Sequence, residues 1–206
     1  MCRTDEMEIY LQEYRSNRTE LKRVKVNKEI ASIVSGLKEK IDLLIDEKME
    51  EQEKAPKKVK YLLFCRLLTS GYTQSYEMAI ILADKSLYLN ESMNYVFWKP
   101  EIIYDGLIQD MEEVTKLLKQ KYIRLEQHEL LYIERKLFLD DWELFCTILP
   151  DVVYEIAGNL VNSSLSLEDE IEVLYGGYME EPVSICQIKI KERRENKWEV
   201  IKVHST

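Results

Sequence analysis

Side chains that could do acid–base or nucleophilic chemistry are sparse in this chain of 206 residues. It has two histidines, His128 and His204, and neither belongs to a cluster of cysteines and histidines that could bind zinc. The pair His128-Glu129 lacks the second histidine that zinc proteases of the HExxH type require. His128 is therefore predicted to be a solvated surface side chain rather than a general base.

Carboxylates and lysines are the other groups that could form an active site. The triplets Glu134-x-Lys136 and Glu195-x-Lys197 have the local form of metal-dependent nuclease motifs. Charged residues make up 33% of the chain, however, so such triplets are expected by chance. An active site built from ordinary Asp, Glu, Lys and Tyr residues is an open alternative. The sequence nominates no catalytic residue, however, and favours a protein without enzymatic activity.

Motifs that hold phosphates or activate a serine do not occur in the sequence. The six glycines form neither G-x-x-x-x-G-K-[ST] nor G-x-G-x-x-G, and there is no G-x-S-x-G. This excludes ordinary P-loop and Rossmann enzymes. We therefore predict no cofactor and no bound metal.

The cysteines and the apolar runs indicate the cellular compartment of the protein. The four cysteines are widely spaced without a C-x-x-C pair, so they are predicted to be reduced thiols. Met1–Tyr10 carries four charged residues and lacks the apolar stretch of a secretory signal. The longest apolar runs, Tyr61–Cys65 and Met78–Ala83, are far shorter than the roughly 20 residues of a membrane-spanning helix. We expect a cytoplasmic protein that does not enter a membrane.

Apolar residues at helical spacing fill the first quarter of the chain. Intervals of three and four residues predict amphipathic helices, and Ala55-Pro56 ends the pattern. Residues 1–55 are therefore predicted to form a helical hairpin, through which the chain could form a homo-oligomer. The apolar positions are Met7, Tyr10, Tyr14, Leu21 and Val24, followed by Ile30, Val34, Leu37, Ile41 and Leu44.

Compact or alternating apolar runs predict strands in two later regions, about 58–98 and 183–203. We expect these strands to form a small, mainly antiparallel sheet, because one sheet leaves fewer open edges than two. The segments are Tyr61–Cys65, Met78–Leu82, Tyr95–Trp98, Val183–Ile190 and Trp198–Val203.

Between the two strand regions the pattern is helical, over residues 100–175. The most periodic segment, residues 103–125, predicts one long helix. Three shorter helices are predicted next, with Pro150 breaking or kinking the pattern. A further helix is predicted from Ser166 to Gly177.

The order of elements defines the predicted fold class. Helices, strands, helices and strands follow one another without the regular alternation of a parallel doubly wound fold. We therefore predict an α+β protein with a helical hairpin at 1–55 and a second domain at 56–206. The acidic helical block is inserted in that second domain.

The distribution of charge is the strongest functional clue. Residues 57–99 and 183–206 each carry six basic and three acidic side chains, whereas residues 100–182 carry six basic and 19 acidic. A field of one sign speeds association and selects against like-charged surfaces. We therefore expect the helical block to present an acidic face to a basic protein partner. The predicted partner-binding residues are Glu168, Asp169, Glu170, Glu172, Glu180 and Glu181.

Two alternatives stay open. The acidic residues could simply solvate the outer face of the block, beside basic regions that neutralise them. Alternatively, the basic strands could bind single-stranded nucleic acid through phosphate contacts and base stacking. The residues predicted for nucleic-acid binding are Lys189, Lys191, Arg193, Arg194 and Lys197.

The missing motifs and the charge pattern together favour a non-catalytic cytosolic interaction protein. An adaptor, an inhibitor and an immunity-like protein all fit this description. The alternative function is nucleic-acid binding or processing through the basic strands.

Overall fold

The computed structural model of the chain describes residues 2–87, 93–192 and 197–202. It is an α+β fold with N-terminal helices and a six-stranded mixed sheet, which confirms the predicted fold class. In chain order the elements are α1 (Arg3–Tyr10), α2 (Gln12–Lys28), α3 (Ile30–Lys54), β1 (Val59–Arg66), α4 (Leu68–Thr73), β2 (Met78–Ala83), β3 (Asn94–Trp98), α5 (Glu101–Tyr104), α6 (Leu107–Lys121), α7 (Gln127–Asn162), β4 (Leu167–Gly177), β5 (Val183–Glu192) and β6 (Lys197–Lys202).

These elements belong to two compact units. Residues 1–29 and 101–147 form the helical unit, and residues 30–100 and 148–206 form the sheet unit. The long helix α7 contributes its first part to the helical unit and its last part to the sheet unit. Helices α2 and α3 are separated by one residue and belong to different units. The helical hairpin of residues 1–55 therefore stays a prediction.

Helix α2 buries a different face from the predicted one. Its predicted apolar positions Leu21 and Val24 are 73% and 47% exposed, whereas Arg18, Lys22 and Val26 are buried. The prediction was wrong here because it counted only apolar side chains. The basic side chains are buried against carboxylates that come from residues far along the chain.

The predicted helix over residues 103–125 is divided into α5 and α6. The interruption lies at Asp105-Gly106, where Gly106 adopts a φ of +84° that side chains with a Cβ rarely accept. α6 then ends at Lys121, four residues before the predicted end. The apolar spacing continues through Gly106, so periodicity alone did not reveal the break.

Helix α7 is a single helix of 36 residues where three were predicted, and Pro150 lies inside it. A proline within a helix removes one backbone hydrogen bond. Its neighbours Leu149, Val152 and Val153 are fully buried in the sheet unit, and we attribute the continuity of the helix to this packing.

In the described part of the chain, α7 is the one helix long and apolar enough to cross a membrane. Of its most apolar stretch, however, 56% is buried inside the protein. That burial is typical of the core helix of a soluble protein.

The sheet has the strand order β3-β2-β1-β4-β5-β6, so both predicted strand regions belong to one sheet. The β1–β4 pair is parallel and the other four pairs are antiparallel, as the prediction of a mainly antiparallel sheet requires. The predicted helix from Ser166 to Gly177 is wrong, because this segment is the central strand β4. Ile171 and Val173 are buried and alternate with the half-buried Glu170 and Glu172, which is the period of a strand.

Strand β2 is buried on both sides. All six of its residues are buried, so it has no side that faces the solvent. Helix α3 packs beside β3, with Gly36 of α3 close to the indole of Trp98. Near the other sheet edge, Tyr154 of α7 packs at a tilt against Trp198 of β6, with ring centroids 5.4 Å apart.

The four cysteines are free thiols, in agreement with the sequence. Cys65 and Cys186 are buried in the sheet unit, Cys146 is half-buried and Cys2 is exposed. Burial raises the pKa of the Cys186 thiol to about 12. Cys186 therefore behaves as a small apolar side chain rather than as a nucleophile.

The interruption at Gly106 gives a test of the helical unit. We expect Gly106→Ala to lower the free energy of unfolding by about 1–2 kcal/mol, because alanine must adopt a left-handed backbone. The control is Gly36→Ala inside α3, where the added methyl meets only ordinary contacts and should not destabilise the protein. Urea unfolding of both variants measures the difference, and equal effects would contradict this explanation of the break.

Candidate functional site

The most deeply buried polar arrangement in the described part of the helical unit is an ion-pair network, which we call the charged core. It consists of Arg18, Lys22, Asp110 and Asp141. The two basic residues lie four positions apart on α2, so they share one face of that helix. The two aspartates come from α6 and α7.

Arg18 connects all three helices. Its Nη1 and Nη2 donate to the two carboxylate oxygens of Asp141 at 2.8 and 2.7 Å, and its Nε donates to Asp110 at 2.6 Å. Its side chain is 4% exposed and that of Asp141 is 1% exposed. Such forked pairing is the strongest geometry available to an arginine and a carboxylate.

Lys22 completes the network. Its Nζ donates to Asp141 at 2.8 Å and to the carbonyl oxygen of Ile103 at 2.9 Å. Burial opposes its charge and lowers the pKa of Lys22, although Asp141 partly offsets this effect. For Arg18, burial also opposes the charge, but the hydrogen bonds and the attraction to Asp141 and Asp110 prevail and raise its pKa.

A second set of ion pairs lies beside the charged core and is less buried. Arg15 donates to both oxygens of Asp140, at 2.8 and 2.6 Å, and to Glu8 at 2.9 Å. Glu8 also accepts a hydrogen bond of 2.8 Å from Tyr132 and lies 3.1 Å from Lys136. Together the two sets fix α1 and α2 to the first part of α7.

The geometry of these ion pairs indicates a structural role. Each basic group of the charged core meets at least one carboxylate, and the lone pairs of Asp141 are taken up by Arg18 and Lys22. Tyr14 adds its hydroxyl 3.3 Å from Asp110 and 3.2 Å from Glu113. Over residues 2–87, 93–192 and 197–202, no group of three or more His, Cys, Asp or Glu side chains could hold a metal ion.

The six acidic residues predicted to bind a partner do not form one patch. Residues 168–172 would cluster on one turn of the predicted helix, but in β4 neighbouring side chains point to opposite sides of the sheet. Because a strand rises about 3.3 Å per residue, the 11-residue strand β4 separates Glu168 from Glu180 by roughly 30 Å. Asp169 and Glu181 are exposed and Glu172 is half-buried.

Three of these six carboxylates already face a basic side chain of the sheet unit. Glu168 lies 3.1 Å from Lys85, Glu170 lies 3.8 Å from Lys189, and Glu180 lies 3.6 Å from Arg66. Partner binding through the six residues stays a prediction.

The predicted nucleic-acid site is described only in part. Lys189 and Lys191 lie on β5, and each faces a carboxylate, Glu170 at 3.8 Å and Glu199 at 2.5 Å. Arg193 and Arg194 lie outside the described residues, as does the side chain of Lys197. β4 separates β1 from β5, so the two basic regions are not neighbours in the sheet.

Helix α3 carries the acidic surface that the sequence analysis did not single out. Glu39, Leu43, Asp46, Glu50 and Glu53 recur at intervals of four and three residues, opposite the buried face of the helix, and all are exposed. We call these five residues the α3 stripe. Within the described residues, none of its four carboxylates has an ion-pair partner.

The sequence contains a signal for both the charged core and the α3 stripe. Arg15, Arg18 and Lys22 repeat at helical intervals, which marks a basic stripe on α2. The predicted apolar face of α3, from Ile30 to Leu44, implies that the residues opposite it face the solvent. The partners of the basic stripe lie more than 90 residues away, so the sequence could not identify them.

Comparison with protein-family models, with curated proteins and with solved structures found no match to this chain.

The charged core predicts a large difference between two arginines of α2. We expect Arg18→Ala to lower the free energy of unfolding by about 3–5 kcal/mol, because it leaves Asp141 buried without its main partner. The control is Arg23→Ala, which removes a half-exposed pair with Glu20 and should cost about 0–1 kcal/mol. Urea unfolding measures both, and similar losses would contradict the assignment.

The hydrogen bonds of Glu8 predict that the stability of the protein depends on pH. Partial burial alone would raise its pKa, but hydrogen bonds from Tyr132, Lys136 and Arg15 prevail and hold the pKa below its usual 4.5. A carboxylate with a lowered pKa in the folded state stabilises the protein above its unfolded pKa, and this contribution is lost as the pH falls.

The free energy of unfolding should therefore decrease as the pH falls through the acidic range below 4.5, and Glu8→Gln should make that decrease shallower. The control is Glu112→Gln, at an exposed carboxylate of α6. Unfolding curves recorded across this range provide the measurement. An unchanged slope in the Glu8 variant would contradict the prediction.

Proposed function

We propose that the protein is a non-catalytic, cytoplasmic interaction module that binds a basic protein partner through the α3 stripe. The observation that carries the proposal is the contrast between two groups of carboxylates. Those of the charged core, the buried Asp141 and the half-buried Asp110, are paired, whereas those of the α3 stripe are exposed and have no ion-pair partner among the described residues.

The net charge is distributed differently between the two compact units than along the sequence. The helical unit contains 13 basic and 17 acidic side chains, and the sheet unit contains 16 and 21. The strong acidity of residues 100–182 is thus offset in the helical unit by the basic side chains of α2. An acidic helical face for a partner is therefore better supported on α3 than on the block itself.

The composition of the α3 stripe suits a basic partner. Its four carboxylates span 15 residues, or about 21 Å along a helix, which matches the length of a short helix or an extended segment. Leu43, 53% exposed, lies between Glu39 and Asp46 and offers an apolar contact within the acidic surface. Charge complementarity would guide association, and the leucine would add affinity.

The test is capture from the protein's own cells with three tagged proteins. The first is the wild type, the second carries Glu39→Lys, Asp46→Lys, Glu50→Lys and Glu53→Lys, and the third is a matched control. The control reverses four exposed carboxylates outside the stripe, so both variants have the same net charge. Its substitutions are Glu6→Lys, Glu112→Lys, Glu143→Lys and Glu155→Lys.

We expect a basic protein to bind the wild type and the control at low salt, and to be lost with the stripe variant and at high salt. The interaction should then be reproduced with the two purified proteins. Identical sets of captured proteins for all three baits would contradict the proposal. Each capture is repeated after nuclease treatment, and a partner lost on that treatment would instead favour nucleic-acid binding.

A further inference from the structure

The outer face of α2 combines exposed apolar side chains with an uneven distribution of charge. Leu21 and Val24 are 73% and 47% exposed, although α2 buries Arg18 and Lys22 on its opposite face. The helix thus places two charges inside and two apolar residues outside. Packing within the helical unit explains the buried charges but gives no role to the exposed apolar pair.

The two ends of this outer face carry opposite charges. The acidic Glu13 lies near its start and the basic Lys28 lies at its end. Glu13 and Lys28 are exposed and have no ion-pair partner in the ranges that the structure describes. On a helix with 3.6 residues per turn, they share a face with Asn17, Leu21 and Val24.

We propose that this face binds the same face of a second copy of the chain, with the two α2 helices antiparallel. A second copy is the occupant favoured by charge complementarity, because antiparallel alignment places the unpaired Glu13 of each helix against the unpaired Lys28 of the other. The contact is isologous, so each interaction occurs twice about the two-fold axis.

The pairing of Glu13 with Lys28 selects one alignment of the two α2 helices. When the axis passes between Glu20 and Leu21, Glu13 of each copy lies opposite Lys28 of the other copy. In the same alignment Val24 lies opposite Asn17, and the two Leu21 side chains are adjacent at the centre. The dimer is therefore built from a small apolar centre with an ion pair at each end, and it uses a different helix from the α3 stripe.

The first measurement is the molar mass of the full chain by sedimentation equilibrium over a wide range of protein concentration. We expect a reversible dimer that weakens as salt is raised. Leu21→Asp should raise the dissociation constant roughly tenfold or more, because it places a charge at the apolar centre. The control is Leu131→Asp, at an exposed leucine on α7 of the same unit, which should leave the dimer unchanged.

A charge exchange tests the antiparallel alignment directly. Glu13→Lys and Lys28→Glu should each weaken the dimer several-fold, because each places like charges opposite one another at both ends. The double variant restores opposite charges and should restore the wild-type dissociation constant.

Three results would overturn the proposal. One is a wild type that remains monomeric at every concentration, and another is a dimer that Leu21→Asp does not weaken. The third is a double exchange variant no tighter than the single variants. Because all these positions are exposed, circular dichroism should show wild-type folding in each variant.

Discussion

The forked ion pair between Arg18 and Asp141 is the interaction on which the helical unit depends. It joins α2 to α7, while the third nitrogen of the same guanidinium reaches Asp110 on α6. Two charges this deeply buried are tolerated only when each is fully paired, so the position and rotation of α2 are determined by this contact. The orientation of the helix follows from it: the basic stripe is inside, and Leu21 and Val24 are left outside.

Ion pairing within each unit determines which acidic side chains are already neutralised. Residues 100–182 look strongly acidic along the sequence, but several of their carboxylates neutralise α2 or basic residues of the sheet unit. Among the described residues, a regular row of carboxylates without ion-pair partners lies on α3, whose opposite face buries Leu37, Ile41 and Leu44. The acidic residues that stabilise the fold are therefore distinct from the exposed ones on α3.

Elements with a clear local periodicity could be predicted from the sequence. Elements whose conformation depends on contacts with distant residues could not. The strands at 59–66, 78–83 and 94–98 and the final hairpin were predicted, because their apolar runs are compact. β4 was predicted as a helix, because Ser166, Asp169 and Gly177 resemble helix signals, whereas pairing with β1 and β5 determines its conformation. The charged core could not be predicted, since its partners are brought together only by the fold.

The central claim is that Arg18 and Asp141 stabilise the helical unit as a pair rather than separately, and a double-mutant cycle tests it most directly. The free energy of unfolding is measured for the wild type, Arg18→Met, Asp141→Leu and the double variant. We expect strong coupling, of about 2–3 kcal/mol, so that the double variant loses less stability than the sum of the two single losses, because neither Arg18 nor Asp141 is then left buried without the other. Additive losses would contradict the claim.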